Sequence, residues 1–93
     1  MNHVRNFNYQ YVYVLRGTRS GKWYIGCTNN LRKRLQEHQK GLSRYTKGRG
    51  PFEIIYFEGC KNKLDGVARE KYLKTGMGRR YLKNRMKRFL FLT

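Results

Sequence analysis

The sequence predicts a small α+β domain in which three strands form a small mixed sheet with three or more helices packed against it. Three short runs rich in tyrosine, valine and isoleucine are typical of strands. The segments after the second and third runs combine capping residues with the apolar periodicity of helices. With 93 residues the chain is long enough for one modest core and too short for two, so we expect a single domain over residues 1–93 with its core from about 9 to 90.

The first two strands are expected to form a hairpin. Alternating tyrosine and aliphatic residues predict a strand from Tyr9 to Leu15 or Arg16, and a second run predicts a strand over Lys22–Cys27. Gly17 and Gly21 lie between them and can adopt the positive φ angles that a tight reversal requires.

A helix is predicted to follow the hairpin. Side chains of Thr28–Asn30 can cap a helix over Leu31–Lys40, and Gly41 is suited to end it. The next segment, Ser43–Pro51, is polar, basic and rich in glycine, so we expect a surface loop there.

The remaining chain predicts one more strand and two helices. The strand runs from Phe52 to Phe57 or Glu58, and an N-cap motif opens a helix over Asn62–Lys74. The residues Thr75–Gly78 are expected to break this helix, and a last helix covers Arg79–Leu90. On it we expect an apolar face formed by Leu82, Met86, Phe89 and Leu90.

The composition indicates a polyanionic partner. Lysine and arginine number 22 against five acidic residues, giving a formal net charge of +17, so we expect a nucleic-acid partner. No apolar run approaches the roughly 20 residues of a membrane-spanning helix, and no signal-peptide core precedes the strands, so we expect a cytoplasmic protein without a membrane partner. Cys27 and Cys60 lack the paired spacing of a zinc site and are interpreted as core or near-core residues.

One side of the first predicted helix combines apolar and ionisable residues. At about 100° per residue, Leu31, Leu35 and Leu42 form an apolar stripe, with Arg34 and His38 beside it. A buried, unpaired guanidinium is costly, so Arg34 must either meet an acid in the core or line a cleft that receives an anion. The alternative to a functional role for His38 is a hydrogen-bonded histidine packed beside the sheet.

Tyrosines of the hairpin can converge beside this helix. Strand alternation places Tyr13 on the side of Tyr9 and Tyr11, and Tyr24 on the side of Gly26. If the register brings Tyr13 and Tyr24 together, two hydroxyl groups meet, and Gly26 leaves room for a backbone or a ligand. The alternative for each tyrosine is a half-buried core ring with a solvated hydroxyl.

Glu70 is one of few acids and lies on a basic helix. It is a candidate ligand for one hard divalent cation that retains several waters. Two-metal sites cluster several carboxylates, which this chain lacks, so one ion is the upper limit. The alternatives are a carboxylate paired with neighbouring bases and a partly buried ion pair with Arg34.

These residues resemble the motifs of the GIY-YIG nuclease family. Tyr11-Val12-Tyr13 corresponds to the first triplet, with tyrosine in place of glycine and valine in place of isoleucine, and Tyr24-Ile25-Gly26 matches the second in full. Further matches follow in order at Arg34, His38 and Glu70. The resemblance runs from about residue 11 to 90, and its ending is similar to small stand-alone bacterial members related to the incision subunit of nucleotide excision repair.

The resemblance implies a three-stranded antiparallel sheet flanked by helices. It also implies a metal-dependent DNA endonuclease of low sequence specificity that uses one Mg²⁺ or Mn²⁺ ion, with a role in DNA repair or recombination. Carried over by position, Tyr13 or Tyr24 deprotonates or orients the attacking water, and Arg34 steadies the phosphate. His38 hydrogen-bonds to the tyrosine network or the phosphate, and Glu70 binds the metal. Arg34 and the metal would lower the pKa of the phenol from about 10.

Basic residues outside this set predict phosphate contacts. We expect nucleic acid to be bound by Arg34, Arg44, Lys47, Arg49, Arg80 and Lys83. The DNA can be branched, damaged or duplex, and a protein partner can supply specificity because the chain has no room for a separate recognition domain. Family nucleases often carry a further asparagine, but the surroundings of Asn84 do not match, so we leave it out. The rival hypothesis is a non-catalytic DNA- or RNA-binding module on the same scaffold.

Overall fold

The computed structural model describes residues 8–92, which form a three-stranded antiparallel sheet and four helices. The strands follow the order β2–β1–β3 within the sheet, so the first strand is central. The elements are β1 Gln10–Gly17, β2 Trp23–Thr28, α1 Leu31–Gln39, β3 Phe52–Cys60, α2 Lys63–Leu73, α3 Gly76–Arg85 and α4 Lys87–Leu92. This confirms the predicted fold class. Within residues 8–92, every helix is too short or too polar to cross a membrane.

The alternation along β1 divides the core between the two faces of the sheet. Val12 and Val14 point to one face, where they pack with Leu73 and Leu82 of α2 and α3. Tyr13 and Leu15 point to the other face, which α1 covers. Burial of each such aliphatic side chain stabilises the folded state by about 1.5–3 kcal/mol. The contacts on the two faces therefore hold helices against both sides of the central strand.

Helix α1 begins at the predicted residue and ends at Gln39, one residue before the predicted end, with Lys40 as its C-cap. The Asn30 side chain accepts a hydrogen bond from the backbone N–H of Lys33 at 3.1 Å, and Gly41 adopts a φ of 74° just beyond the helix. The predicted apolar stripe is wrong at one position, because Leu42 lies past this turn and is 71% exposed.

The junction between α2 and α3 is shorter than predicted. The Thr75 side chain accepts from the N–H of Gly78 at 3.1 Å and caps a helix that already begins at Gly76. A Cβ on Gly78 would lie 2.5 Å from the Cα of Leu73, so only glycine permits this close approach of the two helices. Gly76 and Gly78 therefore start a helix rather than break one.

The predicted last helix is two helices. Met86 ends α3 with φ −105° and ψ 19°, and α4 starts at the next residue. Three of the four residues of the predicted apolar face join one cluster, with Leu82 and Met86 buried and Leu90 packed against them. The fourth, Phe89, has the centre of its ring 5.0 Å from the Arg16 guanidinium. Because position 86 is neither glycine nor proline, the sequence carried no signal for this break.

Both cysteines are partly buried free thiols. A Cβ on Gly66 of α2 would lie 3.0 Å from Cys27 Sγ and 3.5 Å from Cys60 Sγ. Glycine therefore lets α2 pack onto both sulfur atoms, which agrees with the near-core interpretation.

Candidate active site

The phenol of Tyr13 lies across the glycine of the neighbouring strand. The register pairs Tyr13 with Gly26 of β2, which is an edge strand. A Cβ on Gly26 would lie 2.6 Å from Tyr13 Cζ and would also clash with the hydroxyl oxygen. The space expected to admit a backbone or a ligand is thus filled by the ring of Tyr13. Tyr24 pairs with Leu15, so the two tyrosines are diagonal neighbours on one face.

A chain of hydrogen bonds runs from the surface of α1 into the protein. Arg34 Nε donates to the hydroxyl oxygen of Tyr13 at 3.4 Å, and this oxygen lies 3.0 Å from His38 Nε2. On the far side of the imidazole, Nδ1 lies 2.5 Å from the hydroxyl of Thr46. Arg34 can only donate, so one consistent arrangement has Tyr13 donating to Nε2 of a neutral His38, whose Nδ1–H donates to Thr46.

Burial sets the protonation of this chain. His38 is 3% exposed, and burial lowers its pKa, with the charge of Arg34 acting in the same direction. Burial also raises the pKa of Tyr13, and the hydrogen bond from Arg34 offsets only part of that effect. The expected lowering of the phenol pKa by Arg34 is present but is smaller than the effect of burial. At neutral pH both groups are therefore uncharged.

Arg34 meets an acid, but not the one considered from the sequence. Its Nη1 lies 2.9 Å from Glu37 Oε1, one helical turn along α1, and both side chains are partly exposed. This hydrogen bond raises the pKa of Arg34 and lowers that of Glu37. The guanidinium therefore joins Tyr13 on one side and a solvent-accessible carboxylate on the other, and its carboxylate partner is not Glu70.

Glu70 reaches the same edge of the sheet from α2. Its charge raises the pKa of Tyr13 and of Cys27, so the carboxylate lies within electrostatic range of both. Its side chain is 23% exposed and forms a 3.0 Å ion pair with Lys74. The predicted alternative of a carboxylate paired with a neighbouring base is thus realised, while the residue remains near Tyr13.

Tyr24 joins this edge through aromatic contacts. Its ring packs edge-on against Tyr45 at 5.2 Å and Phe52 at 5.7 Å. Lys74 Nζ lies 5.6 Å from the centre of the Tyr45 ring, which connects Tyr24 to the ion pair of Glu70. Tyr13 therefore contacts both Arg34 and His38 directly, Glu70 lies within electrostatic range of Tyr13, and Tyr24 is connected to Glu70 through Tyr45 and Lys74.

Tyr9 and Tyr11 are not part of this cluster. Tyr11 packs edge-on against Phe57 of β3 at 6.0 Å, and Tyr9 lies 6.4 Å from Tyr11.

The predicted nucleic-acid contacts separate into two groups. Arg44, Lys47 and Arg49 are exposed on the loop that also supplies Thr46, so they lie beside the candidate site. Arg80 and Lys83 are exposed on α3, which packs on the opposite face of the sheet. Asn84, left out of the predicted site, is also exposed on α3.

The donor set is suited to one hydrated divalent cation. In the described part of the chain no three histidine, cysteine or acidic side chains form a metal-binding group. Glu70 offers a single carboxylate that solvent can reach, which fits Mg²⁺ with mostly water ligands.

Two residues of this region were missed from the sequence. Thr46 is fully buried, but it belongs to a loop whose polar composition predicts exposure. Glu37 follows Arg34 at i+3, a spacing that predicts helical ion pairs and could have identified it.

Comparison with known proteins assigns this architecture to a class. Residues 9–88 match the family model described as the GIY-YIG catalytic domain, so the chain belongs to that family. Among curated proteins it is similar to a UPF0213 protein of Clostridium perfringens, 45% identical over 65 residues that make up 69% of each chain. It is also similar to the UPF0213 protein YazA of Bacillus subtilis, 37% identical over 68 residues, 72% of this chain and 68% of YazA.

A solved structure supports the fold. The solution NMR structure of the UPF0213 protein BH0048 from Bacillus halodurans has a TM-score of 0.51 and 29% sequence identity, covering 82% of this chain and 83% of that one. The relatives found are small bacterial stand-alone proteins.

Proposed function

We propose that this protein is a DNA endonuclease that hydrolyses phosphodiester bonds with one divalent metal ion and little sequence specificity. The observation that carries the proposal is the hydrogen-bond chain from Arg34 through Tyr13 and His38 to Thr46, with Glu70 in electrostatic range of its centre. Family membership supports a catalytic role in general.

In this proposal Tyr13 and His38 act together as the base. The attacking water gives a proton to the Tyr13 oxygen while the phenol proton passes to His38 Nε2. As the water oxygen forms its bond to phosphorus, the bond from phosphorus to the leaving ester oxygen breaks, and that oxygen takes a proton from solvent. The raised pKa of Tyr13 makes a free tyrosinate scarce, and the lowered pKa of His38 keeps an acceptor available at neutral pH. The Thr46 hydroxyl at Nδ1 orients the ring and stabilises the imidazolium that forms.

In this proposal Arg34 and a metal ion held by Glu70 stabilise the negative charge of the phosphate. The guanidinium is partly exposed and can exchange its contact with Glu37 for a phosphate oxygen, because both are bound as anions by the same donors. Glu70 would hold the metal ion, which supplies electrostatic stabilisation of the phosphate when bound. Tyr24 lies beside this position and would orient substrate or water.

The basic loop beside the site supplies the binding surface. Arg44, Lys47 and Arg49 would follow the phosphates of a duplex or branched DNA. RNA is a weaker candidate substrate, and a protein partner would supply any strong specificity. A cytoplasmic role in DNA repair or recombination, and a relation to the excision-repair incision subunit, belong to this proposal.

A second candidate is a DNA- or RNA-binding module without catalysis. The observation that favours it is that Arg34 and Glu70 are each already neutralised by an intrachain partner, Glu37 and Lys74. If those pairs persist on DNA, the basic surface remains but the site cannot receive a phosphate or a metal ion.

A plasmid-nicking assay separates the two. With Mg²⁺ or Mn²⁺ the wild type should convert supercoiled plasmid to the open circle, and Tyr13→Phe should lower the rate by about 10²-fold or more because it removes the proton relay. Arg34→Ala and Glu70→Gln should also lose nicking while retaining DNA binding. Tyr11→Phe is the matched control, since it removes a phenol from the same strand outside the cluster.

Two outcomes of the nicking assay would count against the proposed mechanism. Absence of nicking by the wild type on plasmid, branched and single-stranded DNA with either metal would establish the binding module. Equal rates for Tyr13→Phe and Tyr11→Phe would refute the relay.

A further inference from the structure

A second concave surface lies on the face of the sheet opposite Tyr13. It is formed by the start of β2 together with α3 and α4 and has a volume of about 670 Å³. Its apolar lining consists of Trp23, Leu90 and Phe91, and Phe91 is 87% exposed. Trp23 and Leu90 pack against the core on this side, so the lining rests on rigid structure. We refer to it as the α3–α4 groove.

Four cations and no acidic residue line the same groove. They are Lys22, Arg79, Lys83 and Lys87. Within residues 8–92 the ion pairs are formed by other bases, namely Arg16, Arg34, Arg69 and Lys74. The groove therefore presents positive charge that the described acidic residues do not neutralise.

The spacing of the cations suits a nucleic-acid strand. Arg79 and Lys83 are four residues apart on α3, which is about 6 Å along a helix axis, and Lys87 continues the series into α4. The Arg79 guanidinium lies 5.7 Å from the centre of the Trp23 ring. Guanidinium and aromatic surfaces are those on which unpaired bases stack.

We propose that the α3–α4 groove binds an unpaired nucleic-acid strand, with phosphates along the cations and a base against Trp23 or Phe91. A regular duplex does not offer its base faces, so only an unpaired strand can use the apolar lining. An acidic amphipathic peptide is the competing ligand, but the regular row of cations on one side of the aromatic lining favours a phosphate backbone.

For the nuclease proposed above, the groove also defines the class of DNA that is cut. Only this step depends on the proposed function; binding of a strand in the groove does not. The groove and the candidate site lie on opposite faces of one sheet. A DNA with a duplex part and an unpaired strand that leaves it can occupy both. Flapped or splayed DNA should therefore be nicked faster than plain duplex.

The chain carries its own reporter for the groove, since Trp23 is its single tryptophan. Titration of the wild type with an oligothymidylate of about eight nucleotides, in EDTA to prevent cleavage, should change the emission of Trp23. An abasic oligomer with the same number of phosphates should bind more weakly and leave the emission nearly unchanged. Phe91→Ala should weaken oligothymidylate binding at least about fivefold if it carries a base stack.

Salt dependence tests the cations. Four phosphate contacts predict a slope of about −2.8 in log affinity against log salt for a single strand, or about a 50-fold loss from roughly 50 to 200 mM. Lys83→Gln with Lys87→Gln leaves two contacts and should reduce that loss to about 7-fold. Arg32→Gln with Lys33→Gln removes the same charge from the exposed side of α1 and should keep the wild-type slope.

Three outcomes would overturn the groove proposal. They are unchanged Trp23 emission while anisotropy shows the oligomer bound, equal salt slopes for the two double variants, and a response to an acidic amphipathic peptide but not to oligothymidylate. Each is measured without cleavage. If the protein nicks plasmid but Trp23 emission does not respond to oligothymidylate, the proposed function stands and the groove proposal fails. If Trp23 emission responds but no nicking occurs, the groove proposal stands and the proposed function fails.

Discussion

Substituting alanine at Gly26 tests the geometry of the candidate site most directly. The new Cβ would lie 2.6 Å from Tyr13 Cζ, whereas carbon atoms in contact lie about 3.5–4.0 Å apart. The ring must therefore move by about 1 Å. The 3.0 Å hydrogen bond to His38 cannot follow, since the imidazole is buried and held by Thr46. A displacement of that size costs about 10²-fold in rate, and overpacking costs about 1–3 kcal/mol of unfolding free energy.

The measurements are plasmid nicking and urea unfolding, with Gly59→Ala as the matched control. Gly59 faces Tyr11 from the other edge strand as Gly26 faces Tyr13, but its Cβ would lie 3.2 Å from Tyr9 Cδ2 and 3.5 Å from Tyr11 Cε1. Small shifts of two partly exposed rings accommodate it, so activity should stay near that of the wild type. If Gly26→Ala nicks and unfolds like Gly59→Ala, the phenol does not depend on this glycine and our account of the site is wrong.

Three further predictions concern stability, pH and salt. Gly78→Ala should lower the unfolding free energy by about 1–3 kcal/mol or more because its Cβ meets the backbone of α2. Gly76→Ala should raise it by up to about 1 kcal/mol, because its Cβ would make only an ordinary contact with Arg80 Nη1 at 3.9 Å; urea unfolding compares the two variants. The pKa of His38 is lower in the folded than in the unfolded protein, so the neutral imidazole contributes its full stabilisation above about pH 6.5. This stabilisation is lost as the pH falls towards the folded-state pKa. The unfolding free energy of His38→Gln should therefore depend less on pH, between neutrality and acid, than that of the wild type. DNA affinity should fall by roughly 10³-fold from about 50 to 200 mM salt if about six phosphates are contacted, and a flat response in anisotropy titrations would exclude nucleic acid as the partner.

The regular elements were predictable because their signals are local. The period of two along β1 assigns Val12 and Val14 to one face and Tyr13 to the other, and this division is present in the structure. The Asn30 and Asn62 caps likewise begin the helices that carry Arg34 and Glu70. The residues of the candidate active site that lie on strands and helices could therefore be predicted from the sequence.

The parts that could not be predicted depend on contacts between distant segments. Thr46 is buried because its loop folds over His38, which the polar sequence around it does not indicate. Met86 ends a helix without glycine or proline. The rise in the pKa of Tyr13 needs the burial of its ring under α1 and could not be read from the nearby positive charges.

The same alternation that makes the fold also constrains the candidate chemistry. A slip of β1 by one residue would place valines towards α1 and tyrosines in the core beneath α2, so the stable register is also the one that presents Tyr13 to His38. Gly26 must stand opposite Tyr13 in that register, since any side chain there would meet the phenol. The two tyrosine-bearing triplets are therefore parts of one steric unit, in which the glycine of the second makes space for the tyrosine of the first.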